Sequence, residues 1–216
     1  MQAPAHRSRR VRQWLAVTAA LLAAVGAAQA QPLSGPALVA ALRGGGYVVL
    51  MRHAASPRTP PDAASVNNDN PGAERQLDET GRATAKAMGQ ALAKLRIPIG
   101  RVLSSPTYRA LETVRYAALG EARTFPELGE GGEGMQATIP AAPTAWLRRT
   151  VAEAPPARSN TVIVTHFPNI TGAFADQASG LADGEALVFR PDGRGAASLV
   201  ARVKIEQWPM LAASTP

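Results

Sequence analysis

The run Tyr47-Val48-Val49-Leu50-Met51-Arg52-His53-Ala54 passes without a break from five apolar residues to an arginine and a histidine. With Gly44-Gly45-Gly46 leading in, the apolar residues predict a buried strand. Ligands of open α/β sheets bind just beyond the carboxyl ends of strands, which is where Arg52 and His53 fall. A second run has the same form: Thr161-Val162-Ile163-Val164-Thr165 is a β-branched strand that ends at His166. The chain has three histidines, and His6 lies in a segment expected to be removed. A single histidine at a strand end is commonly a hydrogen-bonded structural residue. Two of them, each directly after an apolar strand, point instead to a shared site.

The 216 residues suit one domain preceded by an export segment. Arg7, Arg9, Arg10 and Arg12 form a basic start, Trp14 to Ala28 is apolar, and Ala28-Gln29-Ala30 is a small-x-small cleavage site. Residues 1–30 therefore read as a signal peptide and 31–216 as a single domain, with a periplasmic or secreted location. The apolar stretch is short of the roughly 20 residues of a membrane span, so no stable membrane insertion is expected after its removal.

The whole chain carries 23 Lys+Arg against 16 Asp+Glu. Without the four leader arginines the balance is 19 against 16, a net charge of +3. No basic patch interleaved with aromatics appears, so a nucleic-acid partner is not expected. Cysteine is absent, which excludes zinc-thiolate sites, and two histidines are few for any zinc site. The expected metal content is none, and no cofactor is implied.

Further along, Ser34 and Pro36 predict the start of a short helix with Leu38, Val39 and Leu42 inward. A polar, proline- and asparagine-rich loop after His53 reaches Gly72, a length that suits a substrate-covering or a merely mobile segment. Asp78 is the predicted cap of a helix whose inward stripe is Ala83, Ala87, Met88, Ala91, Leu92 and Leu95. Val102 to Ser105 reads as a strand, and Pro106 to about Leu119 as a helix with Arg109 in its first turn. A glycine-rich acidic loop spans Phe125 to Gly134. A helix is expected over Pro143 to Ala154 and a shorter one over Asn169 to Gln177. Ala186 to Phe189 and Ser198 to Ile205 are strands, the second at a sheet edge. Strands alternating with helices imply an α/β three-layer sandwich: a mostly parallel central sheet, helices on both faces, and an antiparallel edge strand.

Arg52, His53, Arg109 and His166 thus collect at predicted strand ends and a helix start. Two guanidiniums and two imidazoles suit a dianionic phosphoryl group, because arginine forks bind phosphate oxygens with charge-assisted bonds. Leu50-Met51-Arg52-His53-Ala54 resembles the Arg-His-Gly signature of the histidine phosphatase (phosphoglycerate mutase-like) superfamily. Leu77-Asp78-Glu79-Thr80-Gly81 resembles its Leu-x-x-x-Gly helix start, Ser104-Ser105-Pro106 to Thr113 its Ser-Ser-Pro…Arg-Ala-x-x-Thr block, and Val164-Thr165-His166 its second-histidine strand. These blocks follow in family order from about Tyr47 to Phe189.

The resemblance implies a metal-independent phosphatase acting on a small phosphorylated substrate. In it His53 is the nucleophile that becomes phosphohistidine, and Arg52, Arg109 and His166 hold the phosphoryl oxygens. Leu128-Gly129-Glu130 matches the pattern that carries the general acid, which implies Glu130, with Glu127 and Glu133 as neighbouring candidates. Ser56 lies where members often carry a hydroxyl, which implies a phosphate contact. Two departures stand out. Ala54 replaces the usual glycine, and Phe167-Pro168-Asn169 follows His166 in place of an aspartate, which argues against the phytase and acid phosphatase branch.

Two other readings use the same pocket: a phosphomutase with the same phosphohistidine, and a non-catalytic phosphate binder. A metal-dependent hydrolase would need carboxylates at the strand ends, and none is there. The natural substrate and the oligomeric state stay open.

Overall fold

Six strands form one sheet in the order β3-β2-β4-β1-β5-β6. The computed structural model describes residues 32–129 and 141–215. In chain order the elements are α1 (Gly35–Gly44), β1 (Val48–Arg52), α2 (Glu79–Lys94), β2 (Ile99–Ser104) and α3 (Tyr108–Tyr116). There follow β3 (Ala122–Thr124), a single 3₁₀ turn (Pro126–Leu128), α4 (Ala141–Ala152) and β4 (Asn160–Thr165). Last come α5 (Phe167–Phe174), β5 (Ala186–Pro191), β6 (Ala197–Val203) and α6 (Gln207–Ser214). β1, β4, β2 and β3 run parallel, while β5 pairs antiparallel with both β1 and β6. The expected sandwich with an antiparallel edge is the fold observed.

The central strands are apolar on both sides because both faces are covered. Val49, Met51, Val162 and Val164 pack in one layer with Leu38, Leu42, Met88, Leu92 and Trp208. Val48, Leu50 and Ile163 face the other layer, with Leu147, Val151 and Ile170 from α4 and α5. β6, at the edge, alternates in its second half, where Ala201 and Val203 are buried on either side of exposed Arg202.

Three expectations need correction. The inward stripe of α2 runs through Gly81, Ala85, Met88, Ala91 and Leu92, and Ala83 is exposed. Ala83-Ala87-Ala91 and Ala85-Met88-Leu92 are both helical spacings, and the larger side chains set the rotation of the helix. The helix carrying Arg109 begins at Tyr108, with Thr107 as its N-cap, so Pro106 precedes it. β3 and α6 were not expected: β3 is only three residues long, and α6 is stapled to the core by Trp208, which is buried. Asp78 caps α2 as expected, its carboxylate accepting from the Gly81 N–H at 2.7 Å.

Candidate active site

Parallel register brings the two histidines together. Arg52 of β1 pairs with Thr165 of β4, so the next residues, His53 and His166, leave the sheet side by side. The His53 N–H donates to the Thr165 carbonyl at 2.9 Å, which holds the two strand ends level. Their rings meet edge to face with centroids 5.2 Å apart. β2 lies on the far side of β4, and Ser105, just past its end, donates its N–H to the Val164 carbonyl at 2.9 Å. The turn that follows starts α3 and sends Arg109 back between the histidines.

The hydrogen bonds fix the tautomers. His53 Nδ1 lies 2.7 Å from the Ala54 carbonyl, which can only accept, so Nδ1 carries the proton. Nε2 is then a bare lone pair, and Arg109 Nε donates to it at 3.3 Å. Arg109 Nη2 lies 3.2 Å from His166 Nδ1, which must accept because a guanidinium only donates. His166 Nε2 therefore bears the proton, directed to Ser105 Oγ at 2.9 Å, with Thr107 Oγ1 at 3.2 Å. Burial pushes the pKa of His53 down to about 3, opposed by the Ala54 carbonyl and reinforced by Arg109, Arg52 and Arg75. Burial, then Arg109, pushes His166 down to about 2. Both rings are neutral at physiological pH, which is the state a nucleophilic imidazole requires.

Arg52, at the end of β1, acts on both histidines by its charge. Its Nη2 lies 2.6 Å from Asp183 Oδ1, and its guanidinium sits 5.6 Å from the centre of the Phe167 ring. Its Nε is buried without a hydrogen-bond partner. The arrangement offers an anion three things: one unengaged buried donor, two guanidiniums, and an unprotonated ring nitrogen between them. Among the described residues no group of three or more His, Asp or Glu side chains is placed to hold a metal ion.

Arg52, His53, Arg109 and His166 are thus brought together as the sequence implied. Ser56 is not presented to the pocket as a donor. Its hydroxyl donates to the Gln76 carbonyl at 2.8 Å and ties together the two ends of the loop that follows His53. Glu130 and Glu133 lie outside the described residues. Glu127 lies in the 3₁₀ turn, which Asn169 and Thr165 bind to the second-histidine segment. Ala54 is fully buried and is not among the residues with positive φ, so alanine is accommodated where the family pattern has glycine.

Several contributors were not singled out in the sequence. Thr113 Oγ1 accepts from the Ala54 N–H at 3.0 Å and donates to the Arg109 carbonyl at 2.9 Å, joining the strand end that carries His53 to the helix that carries Arg109. Arg75 lowers the pKa of both histidines by its charge, and its side chain bonds the Pro57 and Ser56 carbonyls. Glu112 is buried, with its pKa raised by desolvation, and accepts the Leu77 N–H at 2.6 Å. Thr113, Ser105 and Glu112 sat inside the quoted block that holds Arg109, so their positions were visible though their bonds were not. Gly81 explains the Leu-x-x-x-Gly pattern: a Cβ there would run into the Ala55 carbonyl two residues past His53.

Comparison with known proteins agrees with this geometry. The family model for the histidine phosphatase superfamily (branch 1) matches residues 48–163. The chain belongs to that superfamily. Its fold is similar to the protein histidine phosphatase SixA complexed with tungstate, with a TM-score of 0.53, 19% identity, and 74% of this chain and 98% of that chain covered. It is also similar to a phosphoserine phosphatase mutant from Entamoeba histolytica bound to phosphoserine, with a TM-score of 0.51, 13% identity and coverage of 74% and 98%. A mycobacterial glucosyl-3-phosphoglycerate phosphatase with inorganic phosphate gives a TM-score of 0.51, 17% identity and coverage of 75% and 99%. No curated protein matches the chain. The matched family segment stops three residues short of His166, and register alone carries that residue into the site. No helix among the described residues is long and apolar enough to cross a membrane.

Proposed function

We propose that this chain is an exported phosphatase that hydrolyses a small phosphomonoester through a phosphohistidine on His53, without a metal ion. The observation that carries the reading is the His53 tautomer. Its Nδ1–H is engaged by the Ala54 carbonyl at 2.7 Å, its Nε2 is unprotonated, and Arg109 marks the place where phosphoryl oxygens would sit. Superfamily membership supports a phosphatase.

In the first step Nε2 of His53 attacks phosphorus in line with the leaving oxygen, and the P–O bond breaks. Arg52, Arg109 and His166 bind the equatorial oxygens, where charge concentrates in the transition state. In taking the phosphate, Arg109 exchanges its two imidazole contacts for oxygen acceptors, a change its fork geometry permits. The leaving alkoxide takes a proton from Glu130, the role the family pattern assigns it. Water then attacks the phosphohistidine, gives its proton to the same carboxylate, and the P–N bond breaks to release phosphate and His53.

The test is turnover of an aryl phosphate by residues 31–216 in the presence of EDTA, beside His53→Ala. Activity in the wild type that the substitution abolishes is the expected result. Activity that survives the substitution refutes the mechanism. Export is tested separately, by fractionating cells that make the full chain and determining the N-terminal residue of the recovered protein. Gln31 in the exported fraction is expected, and a chain retained inside the cell with its leader intact refutes it.

A further inference from the structure

The rim of the pocket contains a feature that phosphate binding does not use. Asp183 stands in the turn between α5 and β5, and that turn is held rigidly. The Gly184 N–H donates to the His53 carbonyl at 2.9 Å, and the Arg52 N–H donates to the Glu185 carbonyl at 3.1 Å. Glu185 is itself fixed by Arg202 at 2.9 Å and by the Ala182 N–H at 2.9 Å. Asp183 is therefore placed relative to the nucleophile by the backbone bonds of the two residues that follow it.

Its carboxylate meets Arg52 at 2.6 Å but lacks the alignment of a hydrogen bond, so Oδ1 is buried with unused acceptor capacity. The Asp183 side chain is still 41% exposed, so a ligand can reach it as well as Arg52. The same guanidinium lies 5.6 Å from the centre of the Phe167 ring, one of two large apolar side chains exposed among the described residues, at 37%. An acceptor-rich anion and an exposed aromatic ring thus flank one phosphate-binding arginine.

We propose that Asp183 and Phe167 form the subsite for the leaving group, and that it selects phosphate esters whose leaving group carries a cationic amine over those that carry a second anion. The inference rests on the reading of the pocket as a phosphate site. An ammonium group here would donate to Asp183 and lie against the π-face of Phe167. A carboxylate in the same place would face Asp183 across the rim and be repelled. Selection between esters with the same phosphoryl group is then set by the rim and not by the pocket floor.

Two non-hydrolysable probes of matched length test this without turnover: aminopropylphosphonate and phosphonopropionate. They place an ammonium or a carboxylate at the same distance from a shared phosphonate. Their dissociation constants for wild type, Asp183→Asn and Asp183→Glu are measured by calorimetry at low salt. Because the ratio of the two constants is compared, any change in phosphonate binding caused by a shifted Arg52 cancels. The wild type is expected to favour the amine by about fivefold, the size of one charge pair at a partly solvated site. Asp183→Asn removes that preference, Asp183→Glu retains it, and Phe167→Leu reduces it. Equal binding of both probes by the wild type, an unchanged ratio in Asp183→Asn, or failure of aminopropylphosphonate to bind overturns the proposal. Hydrolysis of aryl phosphate by the same preparation separates the outcomes: an active enzyme with no rim preference sinks the subsite alone.

Discussion

Thr113→Val separates the scaffolding of His53, the proposed nucleophile, from its chemistry. Valine has the shape of threonine without the hydroxyl, so the substitution removes one acceptor and leaves the volume unchanged. Thr113 and Ala54 are both fully buried, and the hydroxyl is the acceptor for the Ala54 N–H at 3.0 Å. The Arg109 carbonyl, its other partner, belongs to the helix and keeps its helical acceptor role. The variant therefore orphans a single buried N–H, which destabilises by about 1–3 kcal/mol. With a urea dependence of about 2 kcal/mol per molar, the unfolding midpoint falls by about 0.5–1.5 M. The other side of the same residue presents the Ala54 carbonyl to His53 Nδ1 at 2.7 Å. A shift of Ala54 loosens the tautomer lock, so kcat falls by about tenfold or more with KM little changed. Urea melts followed by circular dichroism, with kinetics on an aryl phosphate, measure both effects. Thr113→Ser restores the hydroxyl and recovers most of each. A Thr113→Val protein that melts at the wild-type midpoint, or a Thr113→Ser protein as damaged as Thr113→Val, refutes the reasoning.

Two further outcomes are expected. His53 and His166 titrate near 6.5 when unfolded but are held down to about 3 and about 2 in the fold. The unfolded chain thus binds more protons below pH 6.5, and stability is lost as pH falls from there toward 3. The loss is on the order of 4 kcal/mol between pH 7 and pH 5 if both sites contribute in full. Urea midpoints across that range measure it, and a double His53→Gln, His166→Gln protein with the same slope refutes the assignment. Gly81→Ala drives a methyl group into the Ala55 carbonyl, so α2 must move off the site loop. Thermal melts should show a loss of about 1–3 kcal/mol, with activity reduced through the displaced strand end, and a protein as stable as wild type refutes the close-approach account.

Much of this was legible from residue order. β1 and β4 announce themselves because strands buried on both faces read as unbroken apolar runs. The residues that end them then fall at the carboxyl edge by necessity, so Arg52, His53 and His166 could be placed without coordinates. Arg109 could be placed because a short strand, a proline and a helix pattern follow one another. What escaped has two causes. α6 is held by a partner distant in the chain, the α2 layer, and β3, with three residues beside β2, is too short to show a period. Asp183 escaped for the first reason. Its relation to Arg52 crosses 131 positions and depends on a turn pinned by Gly184 and Glu185. In α2, Met88, Ala91, Leu92 and Leu95 are buried as expected, and only the alanines of the first turns were misplaced, Ala85 being inward and Ala83 exposed.

The depressed basicity of the two histidines links the fold to the chemistry. A histidine can attack phosphorus only while its ring nitrogen is unprotonated. Beside a dianionic ester an exposed imidazole would tend to gain a proton, since an anion favours the charged form. Burial to 2% and 0% exposure for His53 and His166, with Arg109 donating to both rings, holds them neutral before substrate arrives. In the mechanism proposed above, the guanidinium that suppresses protonation then takes the phosphoryl oxygens. Its hold on His166 Nδ1 would be exchanged for the dianion, and that nitrogen would gain a proton and donate it to an oxygen. His53 would keep its proton on Nδ1, against the Ala54 carbonyl, and present Nε2 to phosphorus. One arginine between two imidazoles thereby gives chemically identical side chains different roles, and the difference is set by which backbone or side-chain oxygen holds the far nitrogen of each ring.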